Sequence, residues 1–316
     1  MTDLASLDET ELYTAPMTFM GVPYSTDFTK AGAAILGCPF DCGTHPFRVG
    51  ARQGPHSIRE QSPLVRRYQT EFADFDAISK LNLVDCGDVV LTPARIEDAF
   101  ARIEEAAFRI VDADAAPIGF GGDGSVSLPL IRAAARKYPG LAVLHIDSHT
   151  DAYPVDAVHK YDAATQFTHA AAEQRVLPSL SYHIGLRGTC SVPGVYAYGR
   201  DMGYNLVTLH DFHTLGAEAF VQSLKDQLQD RPVYLSWDMD VFDPSCAPGV
   251  CTPIWGGFSA REGLDLLRYL SGLNIVAADV NTVSPAQDVN GMTGFLAAAV
   301  TFEMILLIER ARNAGA

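Results

Sequence analysis

The chain has 316 residues, of which 48% are hydrophobic, so it is long and apolar enough to bury a substantial core in one large α/β domain. Its 38 acidic and 23 basic side chains give a formal net charge of −15, which argues against a nucleic-acid-binding surface. The six cysteines form no Cys-x-x-Cys pair, and we expect free thiols in a reducing compartment.

The N-terminal stretch MTDLASLDETELYTAP is acidic and lacks the basic region and apolar run of a secretory signal. No stretch approaches the length and hydrophobicity of a membrane span, so we expect a cytoplasmic protein without membrane contact. No linker-like segment divides the chain. The sequence therefore predicts a single domain over residues 1–316, with residues 1–25 as an N-terminal arm.

Short apolar runs rich in β-branched residues predict strands, which are, in chain order, AGAAIL, LNLVD, APIGF, LAVLHID, SYHIGL, NLVTL, PVYLSWD and LNIVAADV. Helical patterns lie between these runs. Strands that alternate with helices indicate an α/β fold, in which a mostly parallel central sheet is covered by helices on both faces.

Three helical segments are clear in the sequence. Thr92-Pro93 predicts the start of the first, whose apolar residues keep a period of 3.6 at Ile96, Phe100, Ile103, Ala107 and Ile110. Ser259-Ala260-Arg261-Glu262 is typical of a capping box and predicts the start of the second. The third, over residues 293–313, carries an apolar stripe that is most often explained as core or subunit contact.

Polar clusters follow three of the predicted strands. They are Gly121-Gly122-Asp123-Gly124, Asp147-Ser148-His149-Thr150-Asp151 and Asp238-Met239-Asp240. In open α/β sheets the functional site lies at the carboxyl ends of the strands, so one cleft is the simplest interpretation.

The last two clusters have the composition of a metal site. They contain Asp147, His149, Asp151, Asp238 and Asp240, far more acidity than capping a strand end requires. Carboxylates that hold two divalent ions about 3.5–4 Å apart serve to activate a water molecule. An imidazole ligand favours manganese or nickel over magnesium.

Longer segments carry a family resemblance. The chain contains, in family order, ILGCPFDCGTHPFRVGARQGPHSIR, VDCGDV, GGDGSVSLP, HIDSHTD, IGLRG, SWDMDVFDPSCAPGVCTP and ADVNTVSPAQD. These segments resemble the ureohydrolase family of arginases, agmatinases and guanidino-acid hydrolases nearly end to end. The resemblance implies a three-layer α/β/α fold of the arginase type, assembly as trimers or hexamers, and hydrolysis of a guanidino group to urea and an amine.

The resemblance also implies a set of metal ligands. Asp147 and Asp238 match the family's bridging pair. Asp151 would complete the set of a first metal ion, while His149 and Asp240 would complete that of a second.

Three family positions are replaced. The family reads Gly-Gly-Asp-His where this chain has Gly124, so the first ion loses its imidazole. The family's His-Gly-Thr-x-Phe aligns with residues 163–167, which puts Ala163 where a histidine acts as proton shuttle. With a different gap, His169 would be the counterpart. Thr282 stands where a glutamate pairs with the substrate's guanidinium, and the neighbouring Asn281 offers no charge.

Other residues carry no functional signal. Gly122 is explained by a tight turn, and Asp243 and Asp288 by turns or support of the site. Arginines 48, 52 and 59 brace the early loop or an oligomer contact. The histidines without informative spacing are His45, His56, His145, His159, His183, His210 and His213.

The first hypothesis is a non-catalytic subunit that assembles with an active paralogue in a hetero-oligomer, a hexamer in our expectation. The pattern of losses resembles the inactive subunit of a heteromeric, nickel-dependent metformin hydrolase. This chain would hold nickel or manganese weakly or as a single ion, and the partner would supply the full dimetal site. No intact catalytic set is expected here, and the sequence assigns no substrate-binding residue.

Two alternatives belong to other classes. One is an active hydrolase for an altered guanidino or amidine substrate, using a single ion on Asp147, His149, Asp238 and Asp240. The other is a binding or sensing protein that uses the altered cleft for a ligand without turnover.

Overall fold

The computed structural model describes residues 17–42, 47–156 and 160–313. The strands in these ranges are β1 (Ala33–Cys38), β2 (Val84–Asp88), β3 (Ala116–Gly121), β4 (Ala142–Ile146), β5 (Tyr182–Leu186), β6 (Asn205–Thr208), β7 (Val233–Asp238) and β8 (Ile275–Asn281). Each overlaps one of the apolar runs, so the predicted strands are confirmed.

The strands form one sheet in the order β2-β1-β3-β8-β7-β4-β5-β6. Every neighbouring pair is parallel, which confirms the expected α/β fold with its parallel sheet. Strands β3, β8, β7 and β4 lie side by side at the centre. Their carboxyl ends therefore open at one edge of the sheet, where α/β proteins place their functional sites.

Helices flank the sheet. Those in the described residues are α1 (Gly54–Gln61), α2 (Ala77–Lys80), α3 (Ile96–Asp112), α4 (Ser127–Lys137), α5 (Gln166–Ala172), α6 (Val195–Asp201), α7 (Leu209–Leu215), α8 (Ala217–Leu228), α9 (Ala260–Tyr269) and α10 (Met292–Asn313). Successive strand side chains point to opposite faces. In β1, Ile35 joins the core formed with α8, α9 and α10, whereas Leu36 joins the core formed with α3 and α4.

Helix α3 begins later than the sequence predicts. Its first residue is Ile96, and its N-cap is Arg95, which makes no side-chain capping bond. The prediction of Thr92-Pro93 as the start is wrong because Ala94 has a φ of 61°, through which a right-handed helix cannot continue. The predicted apolar face is confirmed by the burial of Phe100, Ile103, Ala107 and Ile110.

The predicted capping box opens α9. Ser259 Oγ accepts from the Glu262 N–H at 3.2 Å, and Glu262 Oε2 accepts from the Ser259 N–H at 2.8 Å. The two residues thus satisfy two backbone donors that the first helical turn would otherwise leave unpaired.

Replacing Ser259 by alanine is expected to lower the free energy of unfolding by about 1 kcal/mol, because the N3 amide loses its acceptor. Chemical denaturation followed by circular dichroism would measure the loss. The control is Ser223→Ala at an exposed position inside α8, where alanine should leave stability equal or slightly higher. Equal stability of the two variants would contradict a role for the cap.

Helix α10 confirms the predicted C-terminal helix to within one residue. Contrary to the sequence expectation, its length and composition would suffice to cross a membrane, with a mean hydropathy of 1.7 over its most apolar window. That window is 83% buried inside the protein. This burial is typical of a core helix, in agreement with the apolar stripe.

Two of the three early arginines brace the chain, which is the first of the two predicted alternatives. Arg48 donates to the carbonyls of Pro248, Val250 and Cys251. Arg59 is buried and pairs with Asp85 and Asp88.

Part of the predicted N-terminal arm is described and is packed rather than extended. Phe19 is fully buried, its ring centroid lies 5.5 Å from that of Phe120, and its N–H donates to Asp85 Oδ2 at 2.9 Å. The single domain over residues 1–316, with an arm over residues 1–25, stays a prediction because residues 1–16 lie outside the described ranges.

Candidate metal centre

Polar segments at the ends of four adjacent strands meet above the centre of the sheet. Residues 122–124 follow β3, residues 147–151 follow β4, residues 238–240 end and follow β7, and Thr282 follows β8. Because β3, β8, β7 and β4 are neighbours in the sheet, the structure brings all the candidate residues into one cleft.

Three side chains form the best-defined part of the centre. His149 Nδ1 lies 3.3 Å from Asp147 Oδ1 and 3.1 Å from Asp240 Oδ2. One ligand atom from each of the three residues can be chosen so that all lie within 4.8 Å of one another. Asp147 and Asp240 are buried, and His149 is partly accessible from the cleft.

Backbone and hydroxyl groups hold these carboxylates in place. The His149 N–H donates to Asp147 Oδ1 at 2.6 Å, and Ser148 Oγ donates to Asp240 Oδ1 at 2.6 Å. Asp238 Oδ1 accepts from the Asp240 N–H at 2.7 Å, which caps the 3₁₀ turn Met239–Val241. The positions of the carboxylates are thus fixed by turns at the ends of β4 and β7 and by one bond between the two loops.

The carboxylates strongly perturb one another. Burial raises the pKa of Asp238 and Asp240, and each is raised further by neighbouring carboxylates that include Asp147. Asp151 behaves likewise: burial and the charge of Asp147 place its pKa well above the ordinary value. Burial also opposes charge on Asp147 and His149. The imidazoles of His145 and His149 nevertheless hold the pKa of Asp147 well below its usual range, and Asp240 and Asp147 raise the pKa of His149.

The position of the second ion fits a divalent metal. Asp240 Oδ2 is a buried oxygen without a hydrogen bond of good geometry, and His149 Nδ1 lies beside it. Asp147 Oδ1 lies 3.3 Å from the same nitrogen. A shared cation stabilises buried carboxylates because it offsets both their mutual repulsion and the cost of burying their charges. Imidazole and carboxylate ligands suit manganese and nickel, and the identity of the metal stays a prediction.

The position of the first ion fits poorly. Gly124 has no side chain, and a Cβ placed there would lie 2.9 Å from Gln166 Nε2, 3.2 Å from Asp151 Oδ2 and 3.4 Å from the Ala163 carbonyl oxygen. Gln166 Nε2 donates to Asp151 Oδ2 at 2.6 Å. An amide of this chain therefore occupies the space beside Asp151.

Two buried histidines, to which no sequence pattern assigns a role, lie beneath the carboxylates. His145 Nε2 is 2.8 Å from Asp147 Oδ2, and its Nδ1 is 2.9 Å from Nδ1 of His183. Burial, together with the charge of His145, holds the pKa of His183 well below the ordinary value. The position of His145 could have been inferred from the sequence. It lies two residues before Asp147 along β4, and residues i and i+2 of a strand point to the same face.

The segment that carries Ala163 packs against the first-ion position. The Tyr153 N–H donates to the Ala164 carbonyl at 2.9 Å, and the Phe167 N–H donates to the Asp151 carbonyl at 3.1 Å. This placement agrees with the alignment of residues 163–167 to the family's histidine segment. Ala163 has no group that can carry a proton.

His169 points elsewhere. Its Nε2 contacts the Lys160 carbonyl oxygen, and its ring centroid lies 4.8 Å from that of Tyr161. None of its contacts recorded within the described residues is with the carboxylate cluster. This geometry favours Ala163, rather than His169, as the counterpart of the shuttle histidine.

Thr282 is buried and neutral at the position of the expected guanidinium partner. Its Oγ1 donates to Asn281 Oδ1 at 2.9 Å, and its N–H donates to the Gly122 carbonyl at 2.8 Å. Its φ of 65° is unusual for a β-branched residue. The loop thus keeps a strained backbone, typical of functional sites, while the side chain offers no charge.

Gly122 is needed for a reason other than the predicted turn. A Cβ at this position would lie 1.7 Å from the Phe40 carbonyl oxygen. Close approach of the residue 38–40 backbone, rather than a positive φ, therefore requires glycine here. Asp243 acts in turns, as predicted, by accepting from the backbone N–H groups of Ser245, Gly256 and Gly257.

Comparison with known proteins gives consistent matches. The model of the Arginase family matches residues 31–307. Proclavaminate amidinohydrolase of Streptomyces clavuligerus is 36% identical over 298 residues, which cover 94% of each chain. Guanidinopropionase of Pseudomonas aeruginosa is 35% identical over 296 residues, 92% of this chain and 91% of that protein. The solved structure of proclavaminate amidinohydrolase superposes on this chain with a TM-score of 0.88. The superposition covers 95% of this chain and 99% of the chain in that structure.

Proposed function

The chain belongs to the arginase family, and from that premise we propose that it is a catalytically degraded subunit. It assembles with an active paralogue into an amidinohydrolase for guanidino or biguanide compounds of the metformin type. The active paralogue carries the complete dimetal site, and this chain holds at most a remnant of it.

One observation carries the proposal: the three replaced positions lie in one cleft, and two of them adjoin each other. A Cβ at Gly124 would lie 3.4 Å from the Ala163 carbonyl oxygen. Thr282 follows the neighbouring strand β8, and its N–H donates to the carbonyl of Gly122, two residues before Gly124. The losses are therefore gathered at the candidate metal centre instead of being scattered over the fold.

Each replacement removes a different chemical group. By resemblance to the family, Gly124 lacks the imidazole ligand, Ala163 lacks the group that moves a proton, and Thr282 lacks the carboxylate that pairs with a guanidinium. Residues that act as a unit lose most of their joint effect when any member is absent. The absence of all three groups supports the proposal that this subunit does not hydrolyse a substrate on its own.

The rest of the chain keeps what an assembling subunit needs. The eight-stranded sheet and its flanking helices are complete, and several large apolar side chains remain at the surface. Trp255 is 76% exposed and Phe47 is 71% exposed. Aromatic residues are enriched at protein interfaces, which supports assembly into an oligomer, and we propose a hetero-hexamer.

A second candidate follows from the intact part of the centre. Asp147, His149, Asp238 and Asp240 are all in place, so one nickel or manganese ion with these ligands could support hydrolysis of an altered guanidino or amidine substrate. In that case His149 and the carboxylates would orient the ion and substrate without the family's glutamate anchor.

The decisive experiment compares three purified samples: this chain alone, a paralogue with the complete motifs alone, and the two co-expressed. Oligomer mass, metal content and release of urea or amine from agmatine and metformin are measured for each. We expect the lone chain to be inert and the co-purified complex to exceed the paralogue alone in turnover.

A control variant of the paralogue identifies which subunit does the chemistry. When both of the paralogue's bridging aspartates are replaced by asparagine, the complex should lose activity. Persisting turnover in that complex, or metal-dependent turnover by the lone chain, would favour the second candidate. Failure of the two proteins to associate would overturn the subunit proposal.

A further inference from the structure

We infer that Gln166 takes the place of the first metal ion. Its amide closes the position opened by Gly124, so that this chain binds at most one divalent ion, on the side of His149. The inference goes beyond the proposed function, because it holds whether or not the chain has an active partner.

The contact between Gln166 and Asp151 carries the inference. Gln166 Nε2 donates to Asp151 Oδ2 at 2.6 Å, and both side chains are buried. The Phe167 N–H donates to the Asp151 carbonyl at 3.1 Å, so the start of α5 is fixed against the loop that follows β4. Gln166 thus reaches Asp151 from a position that the backbone itself holds.

Gly124 and Gln166 are complementary in space. A Cβ on residue 124 would lie 2.9 Å from Gln166 Nε2, closer than Cβ atoms normally approach a nitrogen. An imidazole at position 124 and the present position of the amide are therefore incompatible. The glycine leaves the room that the amide fills.

The amide oxygen of Gln166 lies in an unfavourable environment, so another contact must stabilise the side chain in this position. Gln166 Oε1 is buried and has no hydrogen-bond partner within the described part of the chain. A buried acceptor without a donor is unfavourable. The side chain keeps this position because its Nε2 supplies a donor to Asp151, which has lost the imidazole-held ion as a partner.

His145 is the one competing explanation. One ring nitrogen of His145, an oxygen of Asp147 and an oxygen of Asp151 can be chosen within 4.8 Å of one another, so His145 could replace the missing imidazole as a ligand. The contact of its Nδ1 with His183 leaves Nε2 facing Asp147 and does not oppose this arrangement. What opposes it is Gln166, whose amide already engages Oδ2 of Asp151.

The test measures the number of bound ions. The full chain and the variants Gly124→His, Gln166→Ala and Gly124→His/Gln166→Ala are loaded with Mn²⁺ and, separately, with Ni²⁺. Ions per chain are then counted by elemental analysis and affinities measured by calorimetry. Alanine is chosen because it removes the amide and also frees the volume that an imidazole at position 124 needs. In the melting test below, methionine is used because it fills the same space without a donor.

We expect at most one ion in the wild-type chain and two in the double variant. In Gly124→His alone, the second ion should bind at least tenfold more weakly than in the double variant, because the amide must first be displaced. Two ions in the wild-type chain would overturn the inference. If His145→Phe then removed one of them, His145 would be the substitute ligand.

A second readout needs no histidine at position 124. In the presence of a chelator, Gln166→Met should melt about 2 °C or more below the wild-type chain, because Asp151 loses its donor. The matched control is Gln222→Met at an exposed position of α8, which should melt unchanged. An unchanged melting temperature for Gln166→Met would show that the glutamine merely fills space, and would also overturn the inference.

Discussion

Replacing Arg59 by methionine is expected to lower the free energy of unfolding by about 3–5 kcal/mol, because it leaves the buried carboxylate of Asp85 without its cation. Arg59 Nε and Nη2 bind the two oxygens of Asp85 at 2.8 and 2.9 Å, and its Nη1 binds Asp88. The side chain also lies over the Phe120 ring at 5.6 Å. Urea denaturation followed by circular dichroism would measure the loss.

The matched control is Arg109→Met. Arg109 pairs with Glu105 on the surface of α3, and exposed pairs of this kind contribute little. We expect this variant to unfold close to the wild-type midpoint. If both variants were equally stable, the buried pair would not anchor β2 to α1 as the contacts indicate.

Replacing His149 by alanine is expected to weaken divalent-metal binding by about two orders of magnitude or more. Substitution of residues that only support a ligand already costs about 10–100-fold in affinity, and His149 is the accessible imidazole of the second-ion position. Calorimetry with Mn²⁺ and Ni²⁺ would give the two affinities. Melting in a chelator would verify that the variant is folded.

The control for this prediction is His213→Ala. His213 is about half exposed and contacts Glu262, which places it in a separate surface pair. Its loss should leave metal binding unchanged. Equal metal affinity in the wild-type and His149→Ala chains would place any bound ion elsewhere, and would remove the structural basis for a single-ion hydrolase as well.

The two ion positions differ in how the sheet supports them. Asp147 and Asp238 each accept from a backbone N–H two residues ahead, directly after β4 and β7, and Ser148 Oγ joins the two loops by donating to Asp240. The first position depends on side chains from separate loops, at Gly124 and in α5. A substitution in one of those loops can be accommodated by another without disturbing the sheet.

The sequence by itself determined the strands, three of the ten helices described and the main acidic segments. Alternation and apolar runs are local properties, and a strand such as PVYLSWD carries its signal within seven residues. The capping box at Ser259 and Glu262 is equally local. The start of α3 was missed because the φ of Ala94 is decided by how that loop crosses to the helix.

Only the tertiary structure decided which side chains share the two ion positions. The contact of Gln166 with Asp151 and the contact of His145 with His183 join residues that are 15 and 38 apart in sequence. The proximity of Gly122 and Thr282 requires β8 to lie beside β3, although the two strands are far apart in the sequence. No local pattern encodes that strand order, because it results from the packing of the whole sheet against helices on both faces.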